Sequence, residues 1–143
     1  MVKVQKKIRY KGTVLVEAAL VFPLLLLLTL GAIEYGWLFL KSQQITNAAR
    51  QGARVAVRAD ATNQDVLTSI NNLMTSAGMA NSGYQVEIAP SDVSSVEPCF
   101  SINVKVRVPC ANIVLINAPA LLPTPTTLQS AVSMVKEGPY GGP

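Results

Sequence analysis

Histidine is absent from this chain, and its two cysteines, Cys99 and Cys110, have no second pair beside them. The first absence removes the commonest general base and metal ligand. The second leaves no set of four ligands for a structural zinc. No P-loop, nucleophile elbow or dinucleotide fingerprint occurs either. Charged residues make up only 14% of the chain, against 50% hydrophobic ones. That balance fits a chain partly dissolved in lipid. Neither a catalytic role, a cofactor, a metal nor a small-molecule substrate is expected.

Basic charge is also scarce once its position is considered. The formal net charge is +4, yet five of the twelve basic residues, Lys3, Lys6, Lys7, Arg9 and Lys11, fall in the first twelve positions. Beyond Gly12, seven basic residues face eight acids. The positive balance belongs to the N-terminal segment and is no footprint of nucleic acid.

What the chain has in abundance is one apolar run. Sixteen residues without charge separate Glu17 from Glu34, and the apolar flanks extend the run from Thr13 to Leu40. As a helix this stretch is roughly 42 Å long, enough to cross a hydrocarbon core of ~30 Å. Ten large side chains between Ala18 and Ile33 favour insertion by about 3–6 kcal/mol in total. A core helix of a small soluble domain has little room to be apolar all round. The basic segment before the run places the N-terminus on the cytoplasmic side and everything after about Lys41 outside. Membrane lipid is therefore an expected partner.

An ordinary secretory signal is a poor match, because the run is about twice the usual length of an h-region and no small-x-small cleavage site follows cleanly. The junction on the other side is more informative. Gly12 ends the basic segment, four mostly apolar residues follow, and Glu17 opens the long helix. A carboxylate inside an apolar helix is costly and usually functional. Pro23 removes a backbone donor within the run and loosens it locally. Glu34 lies beside Tyr35 and Trp37 at the outer boundary and reads as a solvated boundary residue, with a pairing role as the alternative.

This pattern resembles the prepilin signature, in which a membrane peptidase on the cytoplasmic side cuts after the glycine. More closely, the chain resembles the TadE-like family of the tight-adherence pilus system. The likeness covers about residues 12–54 and rests on Gly12, Glu17, Ala19, Leu20, Pro23, the leucine run, Gly31, Glu34, Gly36, and Asn47 to Arg50 with Gly52, Ala53 and Arg54. Ala18 departs from it, since an aromatic residue commonly follows the Glu. The resemblance implies cleavage between Gly12 and Thr13, with Glu17 and Pro23 serving recognition and helix pairing. It further implies a prepilin peptidase, other pilins or pseudopilins and the pilus assembly machinery as partners. The expected location is the bacterial inner membrane, with a periplasmic head and entry into an extracellular pilus as a later stage.

Past the membrane, Ile45, Ala48, Ala49, Gly52, Ala53 and Ala56 recur at helical spacing as a narrow stripe of small residues. Arg50, Arg54 and Arg58 recur on a neighbouring face, as a solvated row or as contacts to acidic neighbours in an assembly. Residues 64–77 read as a short amphipathic helix with Val66, Leu67, Ile70, Leu73, Met74 and Ala77 on one side, capped by Thr62 or Asn63 and ended by Gly78. Three strands are expected: Tyr84 to Ala89, Phe100 to Val108, and Thr126 to Lys136. In the second, Phe100, Ile102, Val104, Val106 and Val108 face one way. Leu115 and Ile116, in the proline-rich stretch between the last two strands, are expected to shield the core. Cys99 and Cys110 form a candidate disulfide on grounds of compartment. A straight strand would hold them about 36 Å apart, so a bond requires the chain to double back near Pro109.

The expected architecture is α+β: a long, pilin-like, membrane-spanning N-terminal helix carrying a small head with one short helix and about three antiparallel strands. Its parts are a basic leader at 1–12, the spanning helix at 13–40, its continuation at 41–59, the head at 60–137 and a loose tail at 138–143. Two functions are consistent with it. One is a minor pseudopilin, processed after Gly12, that acts in tight-adherence pilus assembly through helix packing. The other is an uncleaved single-pass protein whose periplasmic head binds an envelope or secretion component.

Overall fold

The computed structural model describes residues 11–116 and 123–138. The leader, apart from Lys11 and Gly12, and most of the tail lie outside the described residues. A helix, α1, runs from Lys11 to Ala56 with Pro23 inside it. A second, α2, runs from Asn63 to Ser76. Three strands follow, β1 (Gln85–Ala89), β2 (Ser101–Pro109) and β3 (Thr127–Val135), with a single 3-10 turn at Cys110–Asn112. They form one antiparallel sheet in the order β1-β2-β3, and Val104 of β2 sits opposite Ile88 on one side and Val132 on the other. The expected α+β architecture is therefore present. The chain divides after Ile33 into two compact units, the second beginning at Glu34.

The second unit is built around β2. Ile102, Val104, Val106 and Val108 alternate to one face and are fully buried, as period-two patterning dictates. They meet the small-residue stripe of α1, where Ile45, Ala48, Ala49, Ala53 and Ala56 are buried, together with Val66, Ile70 and Met74 of α2. Gly52 is the point of closest approach. A Cβ there would lie 2.6 Å from Ile70 Cδ1, 2.7 Å from its Cγ1 and 3.4 Å from Val104 Cγ1. The stripe is small because α1 packs on two layers at once.

The ends of the helices are set by specific bonds. α1 stops at Ala56, three residues before the expected Ala59. The Val57 carbonyl accepts from Glu137 N–H at 2.9 Å, and Arg58 N–H turns back to the Val55 carbonyl at 3.2 Å. Tertiary pairing to the residues after β3 thus ends the helix. Thr62 caps α2: its hydroxyl accepts from Asp65 N–H at 3.3 Å while Asp65 accepts from Thr62 N–H at 2.9 Å. Hydrogen bonds from the Thr62 side chain and backbone hold the Asp65 carboxyl below the usual carboxylate range.

Two expected faces are narrower in the structure. In α2 only Val66, Ile70 and Met74 are buried, a single i, i+4, i+8 line, while Leu67 and Leu73 are exposed. Phe100 does not join the inward row of β2 and is 61% exposed. Cys99 before it takes φ +69°, a left-handed conformation, and Phe100 N–H bonds the Glu97 carbonyl, so the extended backbone starts only at Ser101.

Gly52→Ala should lower the thermal midpoint of the head, followed by near-UV circular dichroism in detergent. Overpacking against Ile70 costs about 1–3 kcal/mol, more than the ~1 kcal/mol that Ala gains in helix propensity. Adding Ile70→Val should recover part of the loss; an unchanged midpoint in Gly52→Ala would show that Ile70 has room to move.

Candidate functional site

From Gly12 to Leu30 the residues of α1 are exposed, with Leu20 at 75% and Leu24 at 64%. So much contiguous apolar surface belongs in lipid or against a partner. The helix is long and apolar enough to cross a membrane, and none of its most apolar window is buried. A single-pass membrane protein is what such a segment makes.

At its start, Gly12 is helical, and a Cβ added there would meet nothing within 4 Å. Thr13 and Glu17 are exposed and stand one helical turn apart. Among the described residues Glu17 has no hydrogen-bonding or ion-pair partner. Pro23 supplies no N–H, which leaves the Ala19 carbonyl without its helical donor.

At the other end of the run the reading of Glu34 is corrected. It is not solvated: it is fully buried. Its Oε1 accepts from Leu115 N–H at 3.2 Å and its Oε2 from Ile116 N–H at 2.7 Å. These two bonds offset the cost of withdrawing a carboxyl group from water. Leu115 and Ile116, expected as a shield, act here through their backbones; the Leu115 side chain is 55% exposed.

Neighbouring residues of α1 complete a collar. Tyr35 donates its hydroxyl to the Pro123 carbonyl at 2.6 Å, and Trp37 Nε1–H bonds the Ile113 carbonyl at 2.8 Å. Lys41 is buried; its Nζ donates to the Ala77 carbonyl at 2.7 Å and lies 4.7 Å from the centroid of the Trp37 ring. A cation at the C-terminal end of α2 complements that helix's dipole. Two turns of α1 thus grip three separate segments of the head, at Ala77, at 113–116 and at Pro123. The sequence reading missed this grip. Its one available signal was the absence of any charge between Arg107 and Lys136, which leaves backbone groups as the only polar partners for Glu34 in that stretch.

The other candidates are not brought together. Arg50 and Arg54 are exposed beside an open groove of roughly 540 Å³ with Asn47, Gln51 and Asn72. Arg58 falls beyond the end of α1 and leaves that row, pairing at 3.1 Å with Asp60, both largely exposed. Such a pair contributes little. The candidate disulfide is not formed: Cys99 and Cys110 are free, at opposite ends of the nine-residue β2, the first exposed and the second buried. Burial pushes the Cys110 thiol above its usual range. Among the described residues no cluster of metal-ligating side chains occurs.

These features define a class: a single-pass membrane protein with one long apolar N-terminal helix and a small α+β head. The family model described as TadE-like protein matches residues 12–54, which is α1 almost end to end. The resemblance to that family is thereby shown over this helix. No curated protein matches the chain, and no solved structure does.

Glu34→Ala should speed amide exchange at Leu115 and Ile116 by at least tenfold, about 1.4 kcal/mol of lost protection, while Ile102 and Val106 in β2 stay protected. Hydrogen exchange by mass spectrometry reads both. Equal protection in variant and parent would show that the loop holds without the carboxylate.

Proposed function

We propose that this chain is a pilin-like minor pseudopilin of a tight-adherence, Flp or type IVb, pilus or secretion system. The observation that carries the reading is a coincidence of boundaries. The family match begins at Gly12, where the basic segment ends and the exposed apolar helix begins. The subunit waits in the inner membrane with its N-terminus cytoplasmic and its head periplasmic, and a prepilin peptidase cuts after Gly12. It does no chemistry of its own.

Cleavage frees an α-amino group on Thr13, one turn from Glu17. A carboxylate and an amine brought together from neighbouring subunits attract more strongly in a low-dielectric helix bundle than in water. Glu17 suits that role because it has no partner among the described residues, whereas both Glu34 oxygens accept hydrogen bonds within the head. Arg50 and Arg54, exposed on α1 and without a salt bridge among the described residues, are available to acidic neighbours in the assembly.

Mass spectrometry of the membrane form should find a mature chain beginning at Thr13. Gly12→Ala should leave the leader attached without disturbing the fold, since the added methyl meets nothing. Glu17→Gln should be processed but recovered with other pilus components in reduced yield. An intact leader on the parent protein would instead support the uncleaved anchor whose head binds an envelope component.

A further inference from the structure

We infer that the outer edge of β3 is a docking surface for an extended, acid-bearing segment of another protein, which adds to the sheet as a further strand and is read by Arg50 and Arg54. The direction of the free backbone groups follows from the ladder. Lys136 N–H bonds the Phe100 carbonyl at 2.8 Å at one end of the β2–β3 pairing, and Cys110 N–H bonds the Thr126 carbonyl at 3.0 Å at the other. In an antiparallel pair, residues that exchange bonds alternate with residues that do not. The even positions of β3 therefore point at β2. The odd ones, Thr127, Gln129, Ala131, Ser133 and Val135, aim N–H and C=O away from it. Pro109, which has no N–H to give, stands opposite Thr127, one of these odd positions, as the alternation requires. Among the described residues no strand pairs with this outer edge.

The two edges of the sheet are guarded unequally. β1 has five residues, carries Glu87 and stops at Pro90. It pairs through the odd positions of β2, so only Val86 and Ile88 face outward. Short length, charge and proline are the means by which edges avoid partners. β3 has nine residues with neither charge nor proline among them. An edge of that kind accepts a strand, whose backbone supplies the bonding. A side chain of the added strand standing across from Met134 shares its face of the sheet, the one toward α1. Met134 there lines the open groove that holds Arg50 and Arg54, with Asn47 and Asn72 and no acid among the described residues that line it. Charge complementarity asks for a carboxylate. A second copy of this chain does not supply it: β3 is uncharged, and Glu87 pairs with Arg107 at 3.7 Å on the face of the sheet away from α1.

The inference rests on the proposed role of Arg50 and Arg54 toward acidic neighbours, but it holds whether or not the leader is cut. Its test uses the full chain in detergent and a blocked peptide as long as β3, of alternating valine and threonine with a central glutamate. Amide exchange read by nuclear magnetic resonance should slow at Gln129, Ala131 and Ser133 when this peptide is added. The peptide should bind about fivefold more tightly than a counterpart with lysine at its centre, the scale of an exposed ion pair. Ala131→Pro removes an outward N–H and leaves the β2 ladder whole, so it should abolish binding while the circular dichroism stays that of the parent. Arg50→Gln combined with Arg54→Gln should keep binding but erase the preference for glutamate. Absence of any slowing in the parent protein would overturn the inference, and so would equal binding of the two peptides. Slowing at these amides that grows with protein concentration and needs no peptide would overturn it too, because a second copy would then occupy the edge. An intact leader on the parent chain, which counts against the pilin reading, changes none of these outcomes.

Discussion

A carboxylate held by two backbone N–H groups is the constraint on which this head depends. Glu34 ends the uncharged run of α1, where a lone carboxyl group among apolar side chains is unwelcome. Its two oxygens find Leu115 and Ile116, eighty residues further along the chain, and so draw the loop before β3 down onto α1. Tyr35, Trp37 and Lys41 add bonds of the opposite sense, donating to the carbonyls of Pro123, Ile113 and Ala77. The head is fastened to the helix by backbone groups at this end and by close packing of Ala48, Ala49, Gly52 and Ala53 further on. Polar satisfaction fixes the level, and small side chains fix the distance.

The same helix therefore does two different things along its length. From Gly12 to Leu30 its side chains are exposed. From Glu34 onward one face is buried among α2 and the sheet while Arg50 and Arg54 remain outside. The two acids of the helix mark the contrast. Glu34 has its hydrogen bonds within the fold, and Glu17 has none among the described residues.

Legibility in the sequence followed the periodicity of each segment. The long N-terminal helix was legible from its unbroken apolar run, the small stripe from its helical spacing and β2 from its alternation between Ile102 and Val108. The cap of α2 was readable as Thr62 or Asn63, and the reciprocal bonds with Asp65 assign it to Thr62. Glu34 was not readable: its partners are backbone amides in a proline-rich stretch, and backbone donors leave no trace in residue identity. Phe100 was misread for a related reason. Its apolar side chain fits the alternation, but the left-handed conformation of Cys99 delays the strand by one residue. Arg58 kept the spacing of the arginine row although the helix had already ended, since the bond from Glu137 to Val57 that ends it is tertiary.

The state of the thiols has a consequence for how this head is made. Because β2 keeps Cys99 and Cys110 apart and both remain free, the sheet and its helices close without any covalent staple. The protein should therefore mature without help from oxidative folding catalysts and withstand reductant. Any cross-linked species that arises in air reports Cys99, the accessible thiol, meeting its counterpart on another molecule.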